Sequence, residues 1–228
     1  MILLLFITTM AIALLAQWHV KRIYHRYSRV PAMAGYTGAE VAREILSAAG
    51  IGDVSIHEHE ELLGDHYDPP RKRLVLSSAN YHGTSLAAIG VSAHECGHAI
   101  QHKQAYAPLH LRMAAIGITS FASQIVLWLP LVGIMTGILA MHVGLLLMAV
   151  AWGIIMAFNL ITLPVEFDAS RRAKLLLGQM GFVESTEERE GVTRVLNAAG
   201  WTYVAAFITS LAYFLWHLLP LLTGRDRD

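Results

Sequence analysis

"MAAIGITSFASQIVLWLPLVGIMTGILAMHVGLLLMAVAWGIIMAFNLITLPV", Met113 to Val165, runs for 53 residues without a Lys, Arg, Asp or Glu. A bilayer core about 30 Å thick is crossed by roughly 20 apolar residues rising 1.5 Å each, so this run holds two spans and a tight turn. Gly133, Thr136 and Gly137, or the region Ala140–His142, are the places to turn. Two other uncharged stretches, Met1–Val20 and Leu196–Gly224, are long enough for one span each. The predicted fold class is a mainly α-helical integral membrane protein with four transmembrane helices. A chain of 228 residues that is 55% hydrophobic and 15% charged agrees with it. Basic and acidic side chains number 17 each, so no net charge points to a nucleic-acid partner.

The charges also assign sides. Lys21, Arg22, Arg26 and Arg29 come after the first span and no basic residue precedes it. Basic flanks stay in the cytoplasm, so residues 1–20 read as an uncleaved anchor with its N-terminus outside, not as a secretory signal. Residues 21–112 are then cytoplasmic and 113–165 form a membrane hairpin. Residues 166–195, with Arg171, Arg172, Lys174, Arg189 and Arg194, are cytoplasmic again. Residues 196–224 leave the membrane, and 225–228 form an outer tail. The hairpin crosses the membrane twice, so the segments on either side of it share one face of the bilayer.

Before the hairpin stands "VSAHECGHAIQ", Val91–Gln101, on a helix expected over about 84–104 and opened by Thr84 or Ser85. His94 and His98 project from one face on successive turns and suit two corners of a tetrahedral zinc site. Glu95 lies about 100° round the helix, placed to take a proton from an attacking water instead of binding metal. After the hairpin stands "LPVEFDASRRAKLLLG", in which Pro164 suits a helix start or a kink and Gly178 a helix end. There Glu166, Ala169, Ser170 and Ala173 share a face. Asp168 points about 200° away from Glu166. Glu166 is the expected third ligand; the plainer reading is an ion pair with Arg171 or Arg172.

Other residues carry weaker signals. His102 shares the face of His94 and His98 but sits about 12 Å along the axis from His94, which suits a supporting or solvated role. "HEHEEL", His57–Leu62, places His57 and His59 where a second metal or a solvated strand would fit. Cys96 is the sole cysteine, which excludes an intrachain disulfide, and its face suits buried packing. His66, Tyr67, Tyr81 and His82 are candidate donors to an oxyanion. A capped helix over Thr37–Ala49, closed by Gly50, and strands at Val54–Ile56 and Arg73–Ser77 complete a small α/β region. The second strand could pair with an extended substrate. A Ser185–Glu188 capping box opens the helix leading to the last span.

In this order "GYTGAEVAR", "DHYDP", "SAHECGHAIQ" and "LPVEFDASRRA" resemble the YugP-type neutral zinc metallopeptidases of bacterial membranes, from about Gly35 to Tyr203. The resemblance implies one zinc ion bound through His94 and His98, with Glu95 catalytic, and a hydrolase acting on polypeptides. It also implies residence in the bacterial cytoplasmic membrane. More distantly, the glutamate motif looks like that of the HtpX/Ste24 membrane zinc proteases, where Glu-x-x-x-Asp supplies the last ligand; Ser170 stands where their Asp would. The soluble part is accordingly expected to be a zincin-like site on the cytoplasmic side, acting on membrane or membrane-proximal polypeptides. Two alternatives remain in view. A site-2-type intramembrane protease would use Asp168 as ligand, and a non-enzymatic zinc-binding membrane protein would keep the metal for structure.

Overall fold

The computed structural model describes residues 2–60, 64–136 and 140–224. Among the described residues, seven helices and three short strands run in the order α1 Ile2–Tyr27, α2 Gly38–Ala48, β1 Ser55–His59, β2 His66–Asp68, β3 Arg73–Ser77, α3 Ser78–Tyr81, α4 Leu86–Lys103, α5 Ala107–Thr136, α6 Met141–Gln179 and α7 Thr186–Thr223. Among the described residues, α1, α5, α6 and α7 are each long and apolar enough to cross a membrane. The chain divides into two compact units.

One unit comprises the chain through Leu15, Leu111–Leu163 and the chain from Tyr203 onward. Its helices turn large apolar side chains outward: Leu3, Leu4, Phe121, Leu127 and Leu146 are all exposed. A helix surface that is apolar all round is stable against acyl chains, not against water. Inside, small residues and polar links hold the helices together, as bilayer packing requires. Ala122, Ala149 and Ala151 are buried. Asn159 Nδ2 donates to Ser210 Oγ at 3.0 Å, and the Trp152 and Tyr213 rings stack at 4.5 Å. Of the expected turn positions, Gly133 and Thr136 lie within α5, and Gly137 lies outside the described residues.

The other unit comprises Ala16–His110 and Pro164–Thr202. Its core gathers Val41, Ala42 and Ile45 of α2, Leu74 and Leu76 of β3, and Leu86, Ile89, Ala93 and Cys96 of α4. Ala173 and Leu177 of α6, and Val192, Val195 and Leu196 of α7, close it. α2 begins at a full capping box in which Thr37 and Glu40 satisfy one another's backbone donors, and Gly50, at φ +65°, turns the chain out after it. The sheet order is β1-β3-β2, with β1 parallel and β2 antiparallel to β3. This bears on one expectation: the Arg73–Ser77 strand is central, paired along its length with β1 and at Arg73–Val75 with β2, so most of its backbone is taken up by the sheet and is not offered to a substrate.

One helix boundary differs from that expected, and one of two readings is decided. Of the helix start and the position within a continuing helix expected for Pro164, the start is set aside, since α6 continues through it. Its ring removes one backbone donor, but the long apolar stretch before it and the packed stretch after it keep the helical path. Gly178 lies inside α6; the reversal comes at Gly181, at φ +76°, where glycine suits the left-handed conformation.

Candidate metal centre

α4 opens at Ser85, whose side chain accepts from Ala88 N, and so satisfies one of the donors left free at a helix start. From there the helical period puts His94 and His98 one turn apart, with ring centroids 4.8 Å apart and nearly perpendicular. Gly97 lies between them. A Cβ at this position would stand 2.7 Å from the Ala169 carbonyl oxygen and 3.0 Å from Ala169 Cα. Only a glycine lets α4 lie that close to the Pro164–Gln179 part of α6. The close approach brings Glu166 and Ser170, one helical turn apart on α6, against the two histidines.

The result is a compact donor set. His94 Nε2 lies 3.3 Å and His98 Nε2 3.5 Å from Glu166 Oε2. One ligand atom from each of the three residues falls within 4.8 Å of the others. Donors bound tetrahedrally at 2.0–2.1 Å would stand about 3.3–3.4 Å apart, so the two carboxylate–imidazole separations are those of tetrahedron edges. Two imidazoles and one carboxylate suit zinc, and three protein ligands leave the fourth corner for water or substrate. The residues fit the metal. Glu166 is buried, and Arg171 and Arg172, the partners expected for it in the plainer reading, pair with Asp168.

Each histidine is also held from behind. Ser170 Oγ lies 3.1 Å from His94 Nδ1, and Gln101 Oε1 lies 3.0 Å from His98 Nδ1. Such partners fix ring orientation and leave the other nitrogen for metal. Burial pushes the His98 imidazole toward its neutral form, but hydrogen bonding and the charge of Glu166, with the Glu95 carboxylate and Gln101, outweigh it and raise the pKa. Glu95 itself is buried beside this pair. Sequence reasoning does not single out Gln101; its only signal there is the i+3 spacing from His98, which also fits a solvated polar residue.

The remaining candidates are engaged elsewhere. Tyr67 O–H lies 2.9 Å from His102 Nδ1, and His82 Nε2 pairs with Glu58 at 3.2 Å. His66 Nδ1 meets the Gly64 carbonyl at 2.7 Å, and Tyr81 presents its ring to His82. None of these contacts is with the three-residue cluster. His57 Nε2 bonds Ser55 on the exposed strand β1, and among the described residues His57 and His59 join no metal-ligand group. Cys96 is buried, with its thiol 3.6 Å from the Ala42 carbonyl.

The family described as "Putative neutral zinc metallopeptidase" matches residues 2–222, nearly the whole chain. The chain belongs to this zinc metallopeptidase family. A protein of Bacillus subtilis strain 168 named "Putative membrane protease YugP" is 43% identical over 229 residues, covering 99% of this chain and 100% of its own. No solved structure matches. Membership and the four apolar helices together make this a membrane-protein member of the zinc metallopeptidase family.

Proposed function

We propose that this protein is a zinc-dependent endopeptidase of the bacterial cytoplasmic membrane that hydrolyses peptide bonds of membrane or membrane-proximal polypeptides. The observation that carries the reading is the convergence of His94, His98 and Glu166, with the two imidazole Nε2 atoms 3.3 and 3.5 Å from Glu166 Oε2 and one ligand atom of each residue within 4.8 Å of the others. His94, His98 and Glu166 would hold one ion. When bound, that ion supplies Lewis-acid polarisation of the scissile carbonyl and brings the pKa of a water to about 7. Glu95, next to His94 on α4 and not among the three converging ligands, takes a proton from the attacking water. It then passes that proton to the amine as the C–N bond breaks, so the carboxylate is regenerated. The products are a carboxylate and an amine, and no other reactant is needed.

The site is assigned to the cytoplasmic side because both segments that build it carry the basic flanks, whereas the hairpin between them has no Lys or Arg. Glu166 directly follows Val165, the last residue of the long uncharged run, which supports chemistry beside the bilayer on substrates already attached to it. An intramembrane site-2 arrangement is disfavoured. Its histidines would need a spanning helix, and α4, 18 residues long with most of its surface packed in a soluble-type core, is not among the four helices apolar enough to cross.

The test is casein cleavage by the detergent-purified full chain, with and without a chelator, alongside Glu95→Gln. Cleavage that stops with chelator, returns with zinc, and falls about 10²–10⁴-fold in Glu95→Gln with metal retained supports the reading. Cleavage untouched by the substitution removes Glu95 from the reaction.

A further inference from the structure

Gln101 is wholly buried on α4, and burying an amide is costly unless its donors and acceptor are met. Its side-chain nitrogen donates to the Val165 carbonyl at 2.8 Å and to Asp168 Oδ2 at 2.9 Å. Both partners can only accept: one is a backbone carbonyl, the other a carboxylate paired with Arg171 and Arg172. The amide atom that faces both must therefore be nitrogen, and the amide cannot turn over. Its oxygen must face His98 Nδ1, 3.0 Å away. An amide oxygen only accepts, so the proton between them belongs to the imidazole.

We propose that Gln101, itself fixed by Asp168, is a positioning residue that commits His98 to the tautomer with Nδ1 protonated and Nε2 open toward Glu166. The direction of the relay is set by the outermost member: the carboxylate of Asp168 orients the amide, and the amide orients the ring. His94 is met by a different kind of group. Its Nδ1 meets the hydroxyl of Ser170, which rotates and can donate or accept, so that contact suits either tautomer. Of the two histidines, His98 is thus the one committed before metal arrives. Asp168 acquires a role here that differs from direct ligation, since it acts two bonds of the network away from the cluster.

This inference rests on the zinc reading above, and the experiment separates the two. Zinc affinity is measured by chelator competition on the detergent-purified full chain, for the unaltered protein, Gln101→Leu and Arg172→Gln. Long-range proton–nitrogen correlations of the histidine rings are recorded on the zinc-loaded unaltered protein. Gln101→Leu should bind zinc about 10–100-fold more weakly, the range found when such outer partners are lost. Arg172→Gln, which removes an ion pair from Asp168 but leaves the amide contacts, should stay within about twofold. The His98 ring should carry its proton on Nδ1 and its metal shift on Nε2.

Unchanged affinity in Gln101→Leu, an equal loss in Arg172→Gln, or a His98 ring bound through Nδ1 would each overturn the proposal. Should Gln101→Leu not fold, the ring assignment in the unaltered protein decides alone. An unaltered protein that takes up no zinc overturns the zinc reading as well. Zinc uptake with an indifferent Gln101 overturns only this step.

Discussion

Glu95 and Glu166 are the same side chain set to opposite tasks. In the proposed reaction Glu166 is held between two imidazoles and must not move, while Glu95 must exchange a proton and so stays outside that clasp. Glu95→Gln should accordingly lose turnover and keep its zinc. Cys96, next to Glu95, shows how far burial alone carries. Its thiol has no exposed surface, and desolvation, with a smaller push from the Glu95 charge, raises its pKa well above the usual thiol range. It should resist alkylation at pH 8 in the folded protein and react once the chain is unfolded; rapid modification under native conditions would contradict the packing. Tyr67 gives a pH test with a definite sign. Burial, then Asp53 and Asp68, pushes its hydroxyl up to about 12. Burial, then His110 and Lys72, lowers the His102 pKa, so a neutral Tyr67 hydroxyl and a neutral His102 stay hydrogen-bonded over a wide range. Because the folded value lies above the unfolded one near 10, the contribution to stability is complete below pH 10 and declines as pH rises toward 12. Alkaline unfolding measured with and without Tyr67→Phe checks this: the decline in that window should shrink in the variant.

The geometry of the candidate metal centre is made by one pair of helices, and at that level sequence legibility is uneven. The histidines of α4 are readable because a period of 3.6 converts their spacing into a shared face. Glu166 is readable because an even number of crossings separates it from them. The contact that brings the two helices together is not readable: Gly97 looks like any small residue in "HECGHA", and its close approach to the Ala169 carbonyl exists only once α6 is in place. Gln101 escapes notice for the same reason, since both acceptors of its amide come from α6. Gly97→Ala should push the helices apart, costing about 1–3 kcal/mol as overpacking does. Zinc affinity should fall with it while helix content is retained; an Ala variant with unaltered zinc binding would mean that the approach is looser than described. At α2 the capping box is legible because all of its parts lie within four residues. Thr37→Ala should lower stability by about 0.5–2 kcal/mol, measured by thermal unfolding, without touching zinc.

For the molecule as a whole, charge-free runs and basic flanks announce four spans, because a bilayer tolerates little else. The small sheet is only half legible. Both longer strands can be anticipated, yet pairing is a property of three segments at once, and β2, three residues long, gives no periodic signal of its own. The sidedness assigned to the chain predicts that a cysteine introduced at the exposed Ser47 is shielded from a membrane-impermeant maleimide in intact cells, while one at Thr223 is labelled. Native Cys96, being buried, adds no background. Beneath topology and chemistry alike lies the claim that segments far apart in sequence, one before the hairpin and one after it, share a single ion. The most direct measurement is zinc content of the purified chain beside that of Glu166→Ala, with helix content as the control for folding. The account predicts one zinc per unaltered chain and little or none in a folded Glu166→Ala; a full complement of zinc in that variant would contradict it.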